Sequence, residues 1–305
     1  MAHPASRTID TATAGPNRRQ LLLTSALGTA MWTASAGAHA QQGPASVATT
    51  SPSRAPLPPG GNTILITGGG TGIGRALAER LHALGNTVII ASRRTALLKE
   101  VASGFRDMHA MTLDQRDPES VRRLADEIVK VHSGLNVVIN NAGVQRRESM
   151  LNMKVADSAD QVETNLNGPI RVTAALLAHL VSRPRARIVN VSSGLAFVPR
   201  ASFATYSATK AGIHSYTQSL RHQLRNTAVD VIELAPPPVR TEITPGQSRI
   251  QAYMPLEDFI EEAISIYLRN PTPNEIIVQR ARVTRNAEAE GRYEAALAAV
   301  NGMDA

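Results

Sequence analysis

From residue 62 onward, short apolar runs alternate with longer stretches whose apolar positions recur every three or four residues. The runs at 62–67 (NTILIT), 87–91 (TVIIA), 108–113, 136–139, 188–191 and 229–234 have the length and branched content of buried strands. Between them, 75–85, 118–132, 157–182 and 202–225 carry the spacing of helices, and 256–268 follows the last run as another amphipathic helix. A short final strand is expected at 275–278 and a surface helix at 292–300. Continuous apolar strands separated by helices predict an α/β domain with a parallel sheet covered on both faces. The long stretch 157–182 contains Asn165, Asn167 and Gly168, which are unfavourable inside a helix, so a kink is expected there.

The first strand runs directly into Gly68-Gly-Gly-Thr71-Gly72-Ile73-Gly74, and a helix follows. A strand, a glycine turn and a helix form a cradle for a dinucleotide pyrophosphate and point to a Rossmann-type, doubly wound sheet. Gly68 allows the tight turn, Gly72 lets the backbone approach phosphate, and Gly74 permits close packing. The second strand ends in Ser92-Arg93-Arg94, with no carboxylate to bind the ribose hydroxyls of NAD. A guanidinium there suits the 2′-phosphate of NADP, which is favoured over NAD. Asp114 ends the third strand and is expected to cap a turn or touch adenine. Asn140-Asn141-Ala142-Gly143 ends the fourth strand, where asparagines brace diverging backbones and glycine lets a cofactor approach.

Tyr206 and Lys210 stand four residues apart on the predicted helix 202–225, so they share one face. An ammonium beside a phenol favours phenolate, which predicts a lowered Tyr206 pKa and a group usable for proton transfer. Ser193 follows the fifth strand, placed to hydrogen-bond a substrate oxygen.

Together these motifs resemble the short-chain dehydrogenase/reductase family over residues 62–241. Thr67-Gly68, Gly72-Ile73-Gly74, Asn140-Asn141-Ala142-Gly143, Asn165, Ser193, Tyr206 and Lys210 stand in the family's order and spacing. The resemblance implies that Tyr206 is the general acid/base and that Ser193 orients the substrate oxygen. It also implies that Lys210 holds the nicotinamide ribose and that Asn165 holds a water in the proton relay. Carried over in the same way, Thr71, Ile73, Ser92, Arg93, Asp114, Asn141, Ala142, Gly143, Val239 and Thr241 contact the cofactor. The wording 141–147 and 193–199 is similar to oxidoreductases encoded beside the D-alanylation genes of Gram-positive teichoic acids. Pro237 stands where the family usually has glycine, which removes an N–H and stiffens the loop. Residues 242–255 would form a short polar lid, with Ile243, Ile250, Tyr253 and Met254 its large apolar members. The expected activity is interconversion of a carbonyl and an alcohol on a small molecule, by a homodimer or homotetramer. An isomerase, epimerase or dehydratase on the same scaffold, or a non-catalytic cofactor sensor, are the alternatives.

Composition narrows this picture in three ways. The chain has 305 residues and no cysteine, so disulfides and thiolate metal sites are excluded, and no metal is expected. The net charge of +7 comes from scattered arginines with only 3% aromatics, which does not make a nucleic-acid groove. Before residue 62 the pattern changes. Arg18-Arg19 precede a moderately apolar run that ends in Ala38-His39-Ala40, resembling a twin-arginine signal over residues 1–40. A proline-rich linker, 41–61, a catalytic domain, 62–285, and a C-terminal helix and tail, 286–305, complete the expected organisation. The expected location is the periplasm, without lasting membrane insertion, or the cytoplasm should the signal be misread.

Overall fold

A computed structural model describes residues 56–271 and 273–302; the signal-like segment and most of the expected linker lie outside them. The strands are β1 Thr63–Thr67, β2 Thr87–Ser92, β3 Met108–Thr112, β4 Leu135–Asn140, β5 Ala186–Val191, β6 Val229–Leu234 and β7 Glu275–Ile276. All pair in parallel, in the order β3-β2-β1-β4-β5-β6-β7. The order reverses between β1 and β4, so a crevice opens at their C-terminal ends. This is the expected doubly wound sheet.

The helices are α1 Gly72–His82, α2 Thr95–Ser103, α3 Pro118–Val131, α4 Val155–Val162, α5 Gly168–Val181, α6 Ala204–Gln223, α7 Leu256–Tyr267, α8 Arg282–Arg285 and α9 Tyr293–Gly302. Side chains alternate across the sheet, and each face has its own core. Ile64, Ile66, Val88, Ile90 and Ile139 pack with Leu81 of α1, Leu98 of α2 and Phe259 of α7. Leu65, Ile89, Val138 and Ile188 pack with Ile128 of α3, Leu176 of α5 and Leu220 of α6. At the start of α3, the Asp117 carboxylate accepts from Glu119 N (2.9 Å) while Pro118 occupies the first turn. Such a cap contributes about 1 kcal/mol.

Three local differences from the sequence reading position the site. The stretch expected as one kinked helix is α4, a π-helical turn at Glu163–Asn167, then α5. Gly168 starts α5 because a Cβ there would lie 2.6 Å from Gln115 Cγ. Residues 56–61 are tethered rather than a free linker: Leu57 is buried, and the carbonyls of Pro58 and Pro59 accept from Asn62 Nδ2 (2.8 Å) and Asn86 Nδ2 (2.9 Å). The last helix is more than a surface element. Its Ala296 and Val300 are buried against Val198 and Ala287, and Asn301 Oδ1 accepts from Ala201 N (2.7 Å).

Candidate active site

The crevice at the switch point is a cleft of about 940 Å3 running from the β2 end to α9. Its floor is a staple between β1 and β4. Thr67 Oγ1 accepts from the N–H groups of Asn141 (3.1 Å) and Ala142 (3.0 Å), and Asn141 Nδ2 donates to Thr67 O (2.9 Å). The chain then turns at Gly68 with φ +71°, where a Cβ would sit 2.8 Å from Ala142 Cα. At Gly74 a Cβ would lie 2.3 Å from Asn141 Nδ2, so the helix start rests directly on the asparagine brace. The first turn of α1 holds no acidic side chain, and Thr71 at its N-cap makes no capping bond, which leaves positive potential for an anion. Thr241 faces this turn, its Cβ 3.5 Å from where a Gly72 Cβ would be.

Around the β2 end, Ser92, Arg93 and Arg94 line the cleft with Thr71 and Ile73. Arg94 Nη2 donates to Thr71 Oγ1 (3.1 Å), and Arg94 N donates to Ser92 Oγ (3.3 Å). Asp114 caps its turn by accepting from Arg116 N (3.1 Å), and Arg116 also grips the carboxylate at 2.9 and 2.6 Å. That guanidinium holds the Asp114 carboxyl below its ordinary range. Between these residues and the π-helical turn, Gln115 Nε2 donates to Thr164 O (2.6 Å) and Ala142 O (3.2 Å).

Deeper in the cleft, Ser193 heads a short 3-10 turn, its Oγ accepting from Leu195 N (3.1 Å). Its hydroxyl favours the ionised Tyr206 phenol and so opposes the effect of burial. Tyr206 lies in the first turn of α6 and Lys210 one turn on. The Lys210 ammonium donates to Val191 O (2.8 Å) and lies 5.5 Å from the Tyr206 ring centre. Asn165, in the π-helical turn, clasps Val144 at both backbone atoms, accepting from N and donating to O at 2.8 Å each. A Cβ on Gly143 would lie 3.3 Å from Asn165 Oδ1 and 3.7 Å from Lys210 Nζ. The structure therefore gathers Gly143, Asn165, Ser193, Tyr206 and Lys210 at one place.

One expectation is corrected. Lys210 does not pull the Tyr206 pKa down; burial pushes it up to about 12, opposed only by the Ser193 hydrogen bond. Both side chains are withdrawn from water, and desolvation of a phenolate outweighs its neighbours. Burial likewise lowers Lys210 to about 8, opposed by the negative charge of Glu233.

The loop after β6 runs Pro236-Pro237-Pro238, the first two buried and the third exposed. Without N–H groups it is anchored by its carbonyls, Pro236 O accepting from Gly194 N (2.9 Å) and Pro238 O from Met254 N (3.0 Å). Val239 bridges to Met254 and lines the cleft with Thr241. Of the lid residues, Ile243 and Tyr253 line the cleft, whereas Met254 belongs to the core. Arg240 donates to the carbonyls of Tyr253 (3.0 Å) and Gln251 (2.6 Å), and Arg280 to that of Ala252, so two guanidiniums clasp three successive lid carbonyls.

Comparison with known proteins gives this geometry a family. The model for short chain dehydrogenases matches residues 62–251. The chain belongs to that family. It is an oxidoreductase of a class that depends on NAD(P). It is 43% identical over 182 residues to the uncharacterized oxidoreductase DltE of Bacillus subtilis, covering 59% of this chain and 72% of that one. The 3-oxoacyl-[acyl-carrier-protein] reductase FabG of Aquifex aeolicus is 34% identical over 189 residues, 60% of this chain and 76% of that one. In fold it is similar to a short-chain dehydrogenase from Sphingobium yanoikuyae in complex with NADPH. That pair has a TM-score of 0.68 at 23% identity, with 77% and 94% of the two chains covered.

Sequence reasoning missed Gln115, Arg200 and Glu233. Arg200 is buried, its Nη1 donating to Tyr253 Oη (3.3 Å), and its guanidinium lies 5.4 Å from the Phe203 ring centre. Glu233 left a visible signal, a carboxylate inside the apolar run VDVIELA.

Proposed function

We propose that the protein is an NADP-dependent oxidoreductase that interconverts a small-molecule carbonyl and an alcohol. The carrying observation is that Ser193, Tyr206 and Lys210 line one end of a cleft whose other end is a glycine turn. The residues present fit the dinucleotide. Gly68 and Gly74 keep open a cradle that any side chain would fill, and α1 offers its helix start to the pyrophosphate. Arg93 at the β2 end favours a 2′-phosphate, and no carboxylate competes at that position. When bound, NADP supplies or accepts the hydride at its nicotinamide ring.

The chain's own residues do the rest. Tyr206, held protonated at neutral pH, donates its proton to the carbonyl oxygen in reduction and takes it back in oxidation. Ser193 hydrogen-bonds the same oxygen and aligns it. Lys210 holds the ribose, and Asn165 holds the turn at Val144 in place and helps to hold the water that continues the proton relay. Lid residues Ile243 and Tyr253 exclude water from the reacting end. NADPH oxidation followed with a panel of aldehydes and ketones tests the reading, with Tyr206→Phe as control. Turnover that survives in that variant removes Tyr206 from the role.

We also infer that the protein is exported by its twin-arginine-like N-terminus and works in the periplasm. The reading rests on Arg18-Arg19 before a moderately apolar run that ends in Ala38-His39-Ala40.

A further inference from the structure

Behind the site lies a carboxylate that the proposed reaction does not use. Glu233 sits on β6 with its side chain fully buried. One oxygen accepts from Ser192 Oγ (2.5 Å), the neighbour of Ser193 in the chain, and the other lies 2.7 Å from His214 Nδ1. His214 is one helical turn beyond Lys210 on α6, and Phe197 packs edge-on against its ring at 4.8 Å. An ionised carboxylate is costly to bury unless charge and hydrogen bonds compensate it.

The charged groups around it are few. On α6 they are Lys210, His214 and Arg221, and the Glu233 charge acts on both Lys210 and Arg221. On β7 stands Glu275, and on α8 Arg285, which grips Glu275 with two bonds at 2.8 and 3.0 Å. The atoms of His214, Glu233 and Glu275 come within 4.8 Å of one another, a spacing a metal would fit. Arg285 already neutralises the third member, and Arg221 adds positive charge beside the group. The cluster therefore works as a charge network.

Lys210 donates to Val191 O while the next residue, Ser192, donates to Glu233, and we propose that Glu233 is a positioning residue, held by Ser192 and His214, whose negative charge compensates the Lys210 ammonium within the buried site. The proposal rests on the assignment of Lys210 to the nicotinamide ribose. Burial works against that ammonium and brings Lys210 down to about 8, close to physiological pH. Without an opposing carboxylate the lysine would lose its proton, and with it a donor to the ribose and to Val191.

The test reads the lysine directly in the full-length protein. The sequence has four lysines, so 13C-lysine spectra are simple, and Lys210→Met assigns the signal. Glu233→Gln keeps the shape and removes the charge, its amide oxygen still accepting from one of Ser192 and His214 while its NH2 faces the other. We expect the Lys210 titration midpoint to fall by about one pH unit or more. The alkaline loss of NADPH binding, followed by nucleotide fluorescence, should move down with it. A folded Glu233→Gln protein with an unmoved midpoint overturns the proposal, even with a lowered Tm, because that is the signature of packing alone. Should Glu233→Gln fail to fold, Lys210→Met in the same chain should restore folding, since each variant alone strands a buried charge. Failure of the double variant to recover would also overturn it. A moved midpoint in a protein that turns over no carbonyl would reject the proposed reaction and leave this pair standing.

Discussion

Tyr206→Phe should change how stability depends on alkaline pH. In the folded protein, burial lifts the Tyr206 phenol to about 12, against 10.0 for an exposed tyrosine. Below pH 10 the phenol is neutral in both folded and unfolded chains, so it adds no pH dependence. As pH rises from 10 toward 12, the unfolded chain ionises first and holds fewer protons than the folded one, and stability falls. The whole gap amounts to roughly 3 kcal/mol, of which roughly half is gone by pH 11. Urea denaturation at pH 9 and pH 11 measures it. Wild type should lose roughly 1 kcal/mol more than Tyr206→Phe across that interval, the other four tyrosines cancelling in the comparison. Lys210 contributes the opposite slope over a different window. Its folded pKa of about 8 lies below the ordinary 10.5, so the unfolded chain binds the extra proton between those values and stability rises with pH there. Difference absorbance between wild type and Tyr206→Phe isolates the phenolate. A phenolate forming with a midpoint below 10 in the free protein would refute the argument and reinstate a lysine-lowered tyrosine.

In carbonyl reduction, Tyr206→Phe should cost ~10²–10⁴-fold in rate with NADPH affinity nearly intact, measured by turnover and fluorescence titration. Arg93→Ala should weaken NADP binding roughly ten- to a hundredfold through loss of about 1.5–3 kcal/mol of charged hydrogen bonding, with NAD unchanged. Equal wild-type affinity for the two nucleotides would defeat that assignment, and Arg94 belongs in a double variant as the neighbouring substitute. Gly168→Ala should cost about 1–3 kcal/mol by thermal unfolding, because its Cβ would displace Gln115 from the carbonyls of Thr164 and Ala142. Arg18→Lys with Arg19→Lys should leave the chain uncleaved in the cytoplasm, and cleaved protein persisting in that variant would reject the export signal.

The sheet was legible because strands covered on both faces are mostly apolar: β1 and β2 form such runs, and β5 and β6 do so despite Arg187 and Asn190 in one and Asp230 and Glu233 in the other. Helix α2 carries weaker cues: it has no acidic residue in its first turn and no side-chain cap, and it follows the two arginines read for their charge. The placing of Tyr206 beside Lys210 followed from helical spacing alone. The sign of the tyrosine shift did not, because spacing gives proximity and says nothing of solvent. Burial of both groups comes from tertiary packing around α6, which the local sequence does not display. Glu233 was hidden for a related reason. Its partners Ser192 and His214 come from β5 and α6, and only the parallel pairing of β5 with β6 brings the carboxylate to them.

Four residues that break local rules lie in the cleft or next to the residues that line it, and each has a long-range reason. Asn165 spoils a helix, yet in the π-helical turn its amide holds both backbone atoms of Val144, which follows the turn that closes β4. Gly168 weakens the next helix turn, but any larger residue would strike Gln115, which ties that turn to the Ala142 loop. Pro237 deprives its loop of a donor, and the carbonyls on either side serve as the anchors instead, one to the turn of Ser193 and one to the lid. Glu233 puts a charge into an apolar strand and is held there by Ser192 and by His214 on the neighbouring helix. A site assembled from several strands must be fixed by contacts that no single segment supplies, so local disfavour recurs where those contacts converge. Substituting any of the four by the residue its local segment prefers should therefore raise local propensity and lower stability of the whole domain.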